Sequence, residues 1–316
     1  MNEKIAIVCT LIDAENVIDS FIKYHTYIGF DHFFLFFDRP NDPSISKALK
    51  YHNVTIIQRN TDLEEKWKET NNYHKFKYFI NTEVMARQVL NASVATKMSL
   101  ENNIDWLLHI DIDELFYSPN ISLKKHLHQL KEKKVNCIRY LNYEAIPQKF
   151  DINDYFREVT TFKKHPNLVE KYKLVQDKNY IISYVNGKSA IRIDHNEYGK
   201  NLEPIGVHSF QEHEYYINDF PIILHYYSCG YDNLIKKYQT LGDFSDKWFD
   251  KKEIMTQIPF HINARDIIKK LDKSEIKKLY KSNIMLFEND VIEYLIKSEL
   301  FCRIESPKQI LELLKQ

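Results

Sequence analysis

Glycine is scarce in this sequence. Six glycines among 316 residues leave little room for phosphate-cradling loops, which need closely spaced glycines so that backbone N–H groups can approach the ligand. No GxGxxG occurs. Gly187-Lys188-Ser189 ends like a P-loop, but Ile182 stands where the first glycine would be required. Rossmann dehydrogenases and P-loop nucleotide hydrolases are both disfavoured. Net charge is missing too: 44 basic residues balance 44 acidic ones, so no overall field attracts a nucleic-acid backbone. Nucleic acid is not an expected partner, and any anionic ligand has to be met locally. The four cysteines (Cys9, Cys137, Cys229, Cys302) are far apart and form no CxxC, which suits free thiols in a reducing compartment better than disulfides or a thiolate zinc site. No stretch approaches the twenty or so apolar residues that span a bilayer, and the apolar run near the start is too short for a signal-peptide core. The expectation is a cytoplasmic chain without a transmembrane segment, with peripheral membrane contact as an open alternative.

What is present is alternation. Residues 4–10 form an unbroken apolar run suited to a buried strand, residues 15–27 carry apolar positions at helical spacing with Gly29 as C-terminal cap, and residues 32–37 form a second buried strand. A turn cluster at residues 38–43 leads to a short helix at 44–51, a strand at 54–58, a polar loop, a long helix at about 81–101 and a fourth strand at 104–110. This pattern predicts a mostly parallel, doubly wound sheet with ligands beyond the carboxyl ends of its strands. The second half is less regular: strands are expected at 135–141, 180–185, 189–193 and 222–227, and an amphipathic helical pattern from about 231 onward, with Ser306-Pro307 as a helix start.

The sharpest motif is WLLHIDIDELF, residues 106–116. Residues two apart on a strand project to one side, so Asp111 and Asp113 are expected to converge at a strand end, where two carboxylates are costly without a cation. Oxygen donors suit a hard ion, Mn²⁺ or Mg²⁺, completed by substrate phosphates. An EF-hand fails, because its sixth position would be Phe116 and its twelfth Ser122. The plain alternative is a solvated acidic turn.

Around this motif the chain resembles GT-A nucleotide-sugar glycosyltransferases, nearest to family 2 and family 92-like sequences. TLIDAENVIDSFIKYHTYIGFDHFFLFFD, ARQVLNASVATKM before the acidic motif, Lys188-Ser189-Ala190-Ile191-Arg192, Val207-His208-Ser209 and LHYYSCGYDNLIKKY carry the likeness. Glu15-Asn16 reverses the usual Asn-Glu, and Asn142-Tyr143-Glu144 stands where a Trp and a Phe-Gly segment are usual. The resemblance implies a GT-A fold, Rossmann-like with a mostly parallel central sheet, plus a C-terminal helical extension. It places the catalytic domain at 1–230, with a nucleotide-sugar half at 1–117 and an acceptor half at 118–230, and the extension at 231–316. It implies a UDP-sugar donor, a glycan, glycolipid or protein acceptor, and Mn²⁺ or Mg²⁺ as cofactor. Donor contacts are expected from Thr10, Leu11, Glu15, Asp38 (to the base), Arg87, Asn91, Asp111, Ile112, Lys188 and Lys236.

Chemically, loss of a diphosphate calls for a metal and basic side chains to stabilise developing negative charge. Asp111 and Asp113 are the expected metal ligands, with His225 first and His208 second as the imidazole donor. An inverting displacement needs a carboxylate base; among Glu144, Asp151, Asp194 and Glu212, Glu144 is favoured. The rival readings are a haloacid-dehalogenase-like phosphatase, in which Asp111 would be the nucleophile, and a catalytically silent carbohydrate-binding GT-A domain. The lysine-rich C-terminal helices have two readings, packing on the core or lying on an anionic membrane.

Overall fold

The structure, a computed structural model, describes residues 3–168, 184–193, 202–212, 214–217, 219–242, 244–247, 249 and 259–315. Its strands are β1 (Ile5–Leu11), β2 (His32–Phe37), β3 (Val54–Gln58), β4 (Trp106–His109), β5 (Glu114–Tyr117), β6 (Cys137–Tyr140), β7 (Asn142–Ala145), β8 (Thr161–Lys163), β9 (Lys188–Arg192), β10 (Tyr215–Tyr216), β11 (Ile222–His225) and β12 (Phe301–Arg303). They form a seven-stranded sheet in the order β10-β6-β9-β4-β1-β2-β3 and a five-stranded sheet in the order β12-β8-β7-β11-β5. β3, β2, β1 and β4 run parallel, while β9 enters antiparallel between β4 and β6.

The unbroken apolar runs of β1 and β2 follow from burial on both faces. Ile5, Ile7, Cys9 and Leu11 point into one core layer with Phe33, Leu35 and Phe37, and Ala6 and Val8 into the other with Phe34 and Phe36. Helix Ile18–Ile28 covers the first layer and helix Val84–Glu101 the second. Gly29 ends the former at φ 110°, as the sequence predicts.

Residues 180–183 of the expected strand at 180–185, and Asp194, lie outside the described residues. Several expectations are corrected. The loop after β3 holds helix Thr61–Lys68, capped by Asn60. Ser306 does not cap its helix: Glu305 holds the cap position and the Ser306 hydroxyl is buried without a partner. Nor is the C-terminal region purely helical, because β12 pairs with β8 at the edge of the second sheet. Its helices turn their apolar faces inward. Ile268, Ile276, Leu279 and Tyr280 close over Tyr227, Leu234 and Tyr238, and Ile292 joins Ile146 and Phe301. This is the packing arrangement, with Leu271, Phe287 and Tyr294 left exposed. Among the described residues, no helix is long and apolar enough to cross a membrane.

Candidate active site

The acidic motif does not sit on a strand. β4 ends at His109, and Asp111-Ile112-Asp113 forms a turn closed by the Glu114 N–H donating to the Asp111 carbonyl, 3.1 Å. The chain crosses there from one sheet to the other, since β5 begins at Glu114. The turn, not the period-2 pleat, therefore aims the two carboxylates.

They face different partners. Asp111 accepts from Gln88 Nε2 and from Lys188 Nζ, each at 2.6 Å. Lys188 is only 1% exposed and also lies 3.6 Å from Glu114, whose carboxylate accepts the Asp111 N–H at 2.7 Å. Burial opposes the charges on Asp111 and Lys188, but their attraction outweighs it: the carboxyl is held below its ordinary range and the ammonium above its own. Burial pushes Glu114 up to about 7. Gly187 makes the approach of Lys188 possible. Its φ is +62°, and an added Cβ would overlap the Tyr140 carbonyl.

Asp113 looks the other way. Its Oδ2 is 3.1 Å from Lys237 Nζ and 3.9 Å from His225 Nε2, and its carbonyl accepts the Tyr226 N–H at 2.8 Å. His225 Nδ1 donates to Glu144, 2.9 and 3.0 Å from the two oxygens, and Asn142 also donates to Glu144. Strand register brings these groups together: His225 pairs with Glu114 on β5 and with Glu144 on β7, and Glu144 pairs in turn with Lys163 on β8. Paired residues share a face, so Glu114, His225, Glu144 and Lys163 run across four strands with alternating charge. Burial works against the His225 cation, yet Glu144 and Asp113 raise it to about 9. Burial raises Glu144 above its ordinary range.

Other expected site residues lie elsewhere or are already engaged. Asp38 accepts from the Arg87 guanidinium at both oxygens, at 2.6 Å each, and Arg87 donates further to the Ile80 carbonyl. Asn91 is buried, accepting from Trp67 Nε1 and donating to Thr10 Oγ1. Leu11 is buried and its carbonyl accepts the Asp38 N–H. Lys236 caps the Asp13 carbonyl at 2.8 Å and Lys47 the Glu15 carbonyl at 2.6 Å, fixing the loop after β1. His208 donates from Nδ1 to the Gly187 carbonyl at 2.9 Å, and burial, then Lys188, lowers it to about 3. It belongs to the Lys188 side of the site, away from the Asp113–His225 pair. Ile112 is half-buried at the turn. Lys237 is the residue that sequence reasoning missed. The basic pair was visible, but not which lysine faces inward on helix Tyr231–Leu241.

No protein-family model matches the chain. Two Arabidopsis thaliana proteins named as glycosyltransferase-like are similar to it. One is 29% identical, covering 93% of this chain and 69% of the relative; the other is 27% identical, covering 93% and 60%. The chain thus spans only part of their length. Among solved structures, core-mannan synthase A of Aspergillus fumigatus in its Mn/GDP form overlaps 58% of this chain and 50% of its own, at 11% identity and TM-score 0.29. A197 from STIV overlaps 71% and 82%, at 12% identity and TM-score 0.28. These structural overlaps are too loose to bear on ligand or mechanism. The mixed α/β architecture around a parallel-rich sheet is the one that the strand and helix alternation predicts.

Proposed function

We propose that this glycosyltransferase moves a hexose from a UDP-sugar to a glycan, glycolipid or protein acceptor by a single, inverting displacement, with the donor diphosphate seated at the 111–114 turn. The observation that carries the reading is His225, fixed from behind by Glu144 and presenting Nε2 3.9 Å from Asp113 Oδ2. Among the described residues no three His, Cys, Asp or Glu side chains converge as a metal cage. One carboxylate and one imidazole braced by a second carboxylate still fit a Mn²⁺ or Mg²⁺ ion that takes its remaining donors from phosphate oxygens. Asp113 and His225 would hold it; Asp111 would not, because Lys188 and Gln88 occupy its oxygens. Bound there, the ion supplies charge neutralisation for the leaving diphosphate.

The chain's own groups do the rest. Glu144 keeps the proton on His225 Nδ1 and turns Nε2 toward the ligand; His225 would give up its Nε2 proton on holding the ion. Lys237, already at the rim beside Asp113, provides an ammonium for the diphosphate. Lys188 holds Asp111 ionised and the turn closed. Glu114 and Glu144, which flank His225, are both buried among counter-charges, which disfavours a covalent glycosyl-enzyme and supports direct displacement. It also removes Glu144 as the base, so another group takes the acceptor's proton. The phosphatase reading gains no support from the two relatives, which are named as glycosyltransferase-like.

Calorimetry with UDP, and UDP release from UDP-glucose or UDP-galactose, each with Mn²⁺ or with EDTA, test the proposal. Binding and release that depend on Mn²⁺ are expected. No UDP binding would overturn the donor, and equal binding and turnover in EDTA would overturn the ion.

A further inference from the structure

We infer that His261 is a positioning residue of this site, acting through Tyr238 and Tyr227 on the Lys237 ammonium. The functional consequence of the inference rests on the donor reading above. His261 lies in helix Pro259–Lys269, within the segment that sequence reading set apart as an extension. Its Nδ1 is 2.7 Å from the Tyr238 hydroxyl and its Nε2 2.6 Å from the Tyr184 hydroxyl. Tyr238 continues the chain to the Tyr227 hydroxyl at 2.5 Å. The Tyr227 ring carries the Lys237 ammonium 4.1 Å from its centroid, and that ammonium is the one 3.1 Å from Asp113. The other arm ends on Tyr184, whose ring meets His225 edge-on at 5.1 Å. One imidazole therefore reaches both the lysine and the histidine of the site.

The surroundings make this more than packing. Tyr227, Tyr238 and His261 lie against Leu234, Ala264 and Ile268, and polar groups in an apolar cluster are costly unless every one is satisfied. Apolar residues of similar volume would hold the helices together without that cost. The hydrogen-bonded chain instead fixes the plane of the Tyr227 ring, and a cation over a ring is held only where the face is presented. Burial keeps His261 neutral, leaving one ring N–H and one lone pair, which match a hydroxyl on either side.

The decisive test needs no nucleotide or metal. In protein labelled with ¹³Cε-lysine, the Lys237 ε-methylene, identified by its loss in Lys237→Met, should be shifted upfield by the Tyr227 ring. The shift should persist in His261→Asn, which keeps a polar group near the Nδ1 position, and collapse to the free-lysine position in His261→Phe. Tyr238→Phe, smaller by one oxygen, breaks the same link and should show the same collapse, even if His261→Phe fails to fold. An unmoved Lys237 signal in folded Tyr238→Phe or His261→Phe overturns the inference. In calorimetry, His261→Phe should weaken Mn²⁺-supported UDP binding about tenfold, and have no further effect on a Lys237→Met background. Full additivity overturns the route through Lys237. A wild-type chain that binds no UDP while the Lys237 signal behaves as described sinks the donor reading and upholds the positioning.

Discussion

His225 and Glu144 sit side by side on neighbouring parallel strands, the imidazole Nδ1 within 3.0 Å of both carboxylate oxygens. That contact decides which ring nitrogen looks toward Asp113. Glu144→Gln keeps the shape but removes the charge that fixes the tautomer. It should weaken Mn²⁺-supported UDP binding about 10- to 100-fold, in line with outer-shell partners of metal-binding histidines. Calorimetry on the variant checks this; unchanged affinity would show that the pair is only architectural.

The two aspartates of the turn should separate in their effects. Asp113→Asn removes a rim carboxylate and is expected to abolish Mn²⁺-dependent turnover with little change in melting. Asp111→Asn leaves the buried Lys188 with Glu114 alone, so it should cost about 3 kcal/mol of stability, the low end for a broken buried ion pair. Urea unfolding of both variants settles it, and equal stability losses would count against the division of roles.

Asp38→Ala tests whether Asp38 is structural. The substitution strands Arg87 beside the Ile80 carbonyl, and a loss of about 3 kcal/mol is expected for an uncompensated, nearly buried charge, with UDP affinity unchanged. A large fall in UDP affinity at unchanged stability would restore the base-binding role.

Acid should unfold this chain early. His25 donates from Nδ1 to the Phe21 carbonyl and accepts the Phe116 N–H at Nε2, and burial lowers it from 6.5 to about 3. The unfolded chain gains a proton below about pH 6.5 that the fold refuses until about pH 3. Stability is therefore complete above 6.5 and falls as pH drops, by up to about 5 kcal/mol for this group. His126 and His261, each lowered to about 4, add to the slope. His25→Gln retains an acceptor for Phe116 without titrating. Its urea midpoint should vary less between pH 7 and 4.5 than that of the parent; parallel curves would refute the assignment.

Ending the chain after residue 258 should yield no stable soluble product. It would uncover the cluster around Tyr227 and Tyr238 and leave the β8 edge unpaired where β12 belongs. A monodisperse, equally stable fragment in size-exclusion chromatography and urea unfolding would show that the helices are an appendage.

β1, β2 and β4 were legible because they are buried on both faces, so apolar character runs unbroken and ends sharply. β2 and β3 fall where the sequence places them. β5 and β7 were hidden for a physical reason. Glu114, Asn142 and Glu144 are polar residues in buried strands, satisfied by partners that only the fold brings near. Likewise a sequence shows Asp38 and Asn91 as polar groups, but not the Arg87 or Trp67 that engages each of them. Asp113 drew attention by its two-residue spacing from Asp111, and His225 because it ends an apolar run. Nothing local marks His261, whose partners lie 23 and 77 residues away.

The alternating row Glu114–His225–Glu144–Lys163 also guards the strand pairing itself. Side chains alternate faces along a strand, so sliding β11 by one residue would replace His225 with Leu224 or Tyr226 opposite both glutamates. Two carboxylates would then be enclosed without the imidazolium between them, a misalignment far costlier than any apolar mismatch. The histidine proposed to hold the donor's ion thus serves as a registration mark for the alignment of the second sheet.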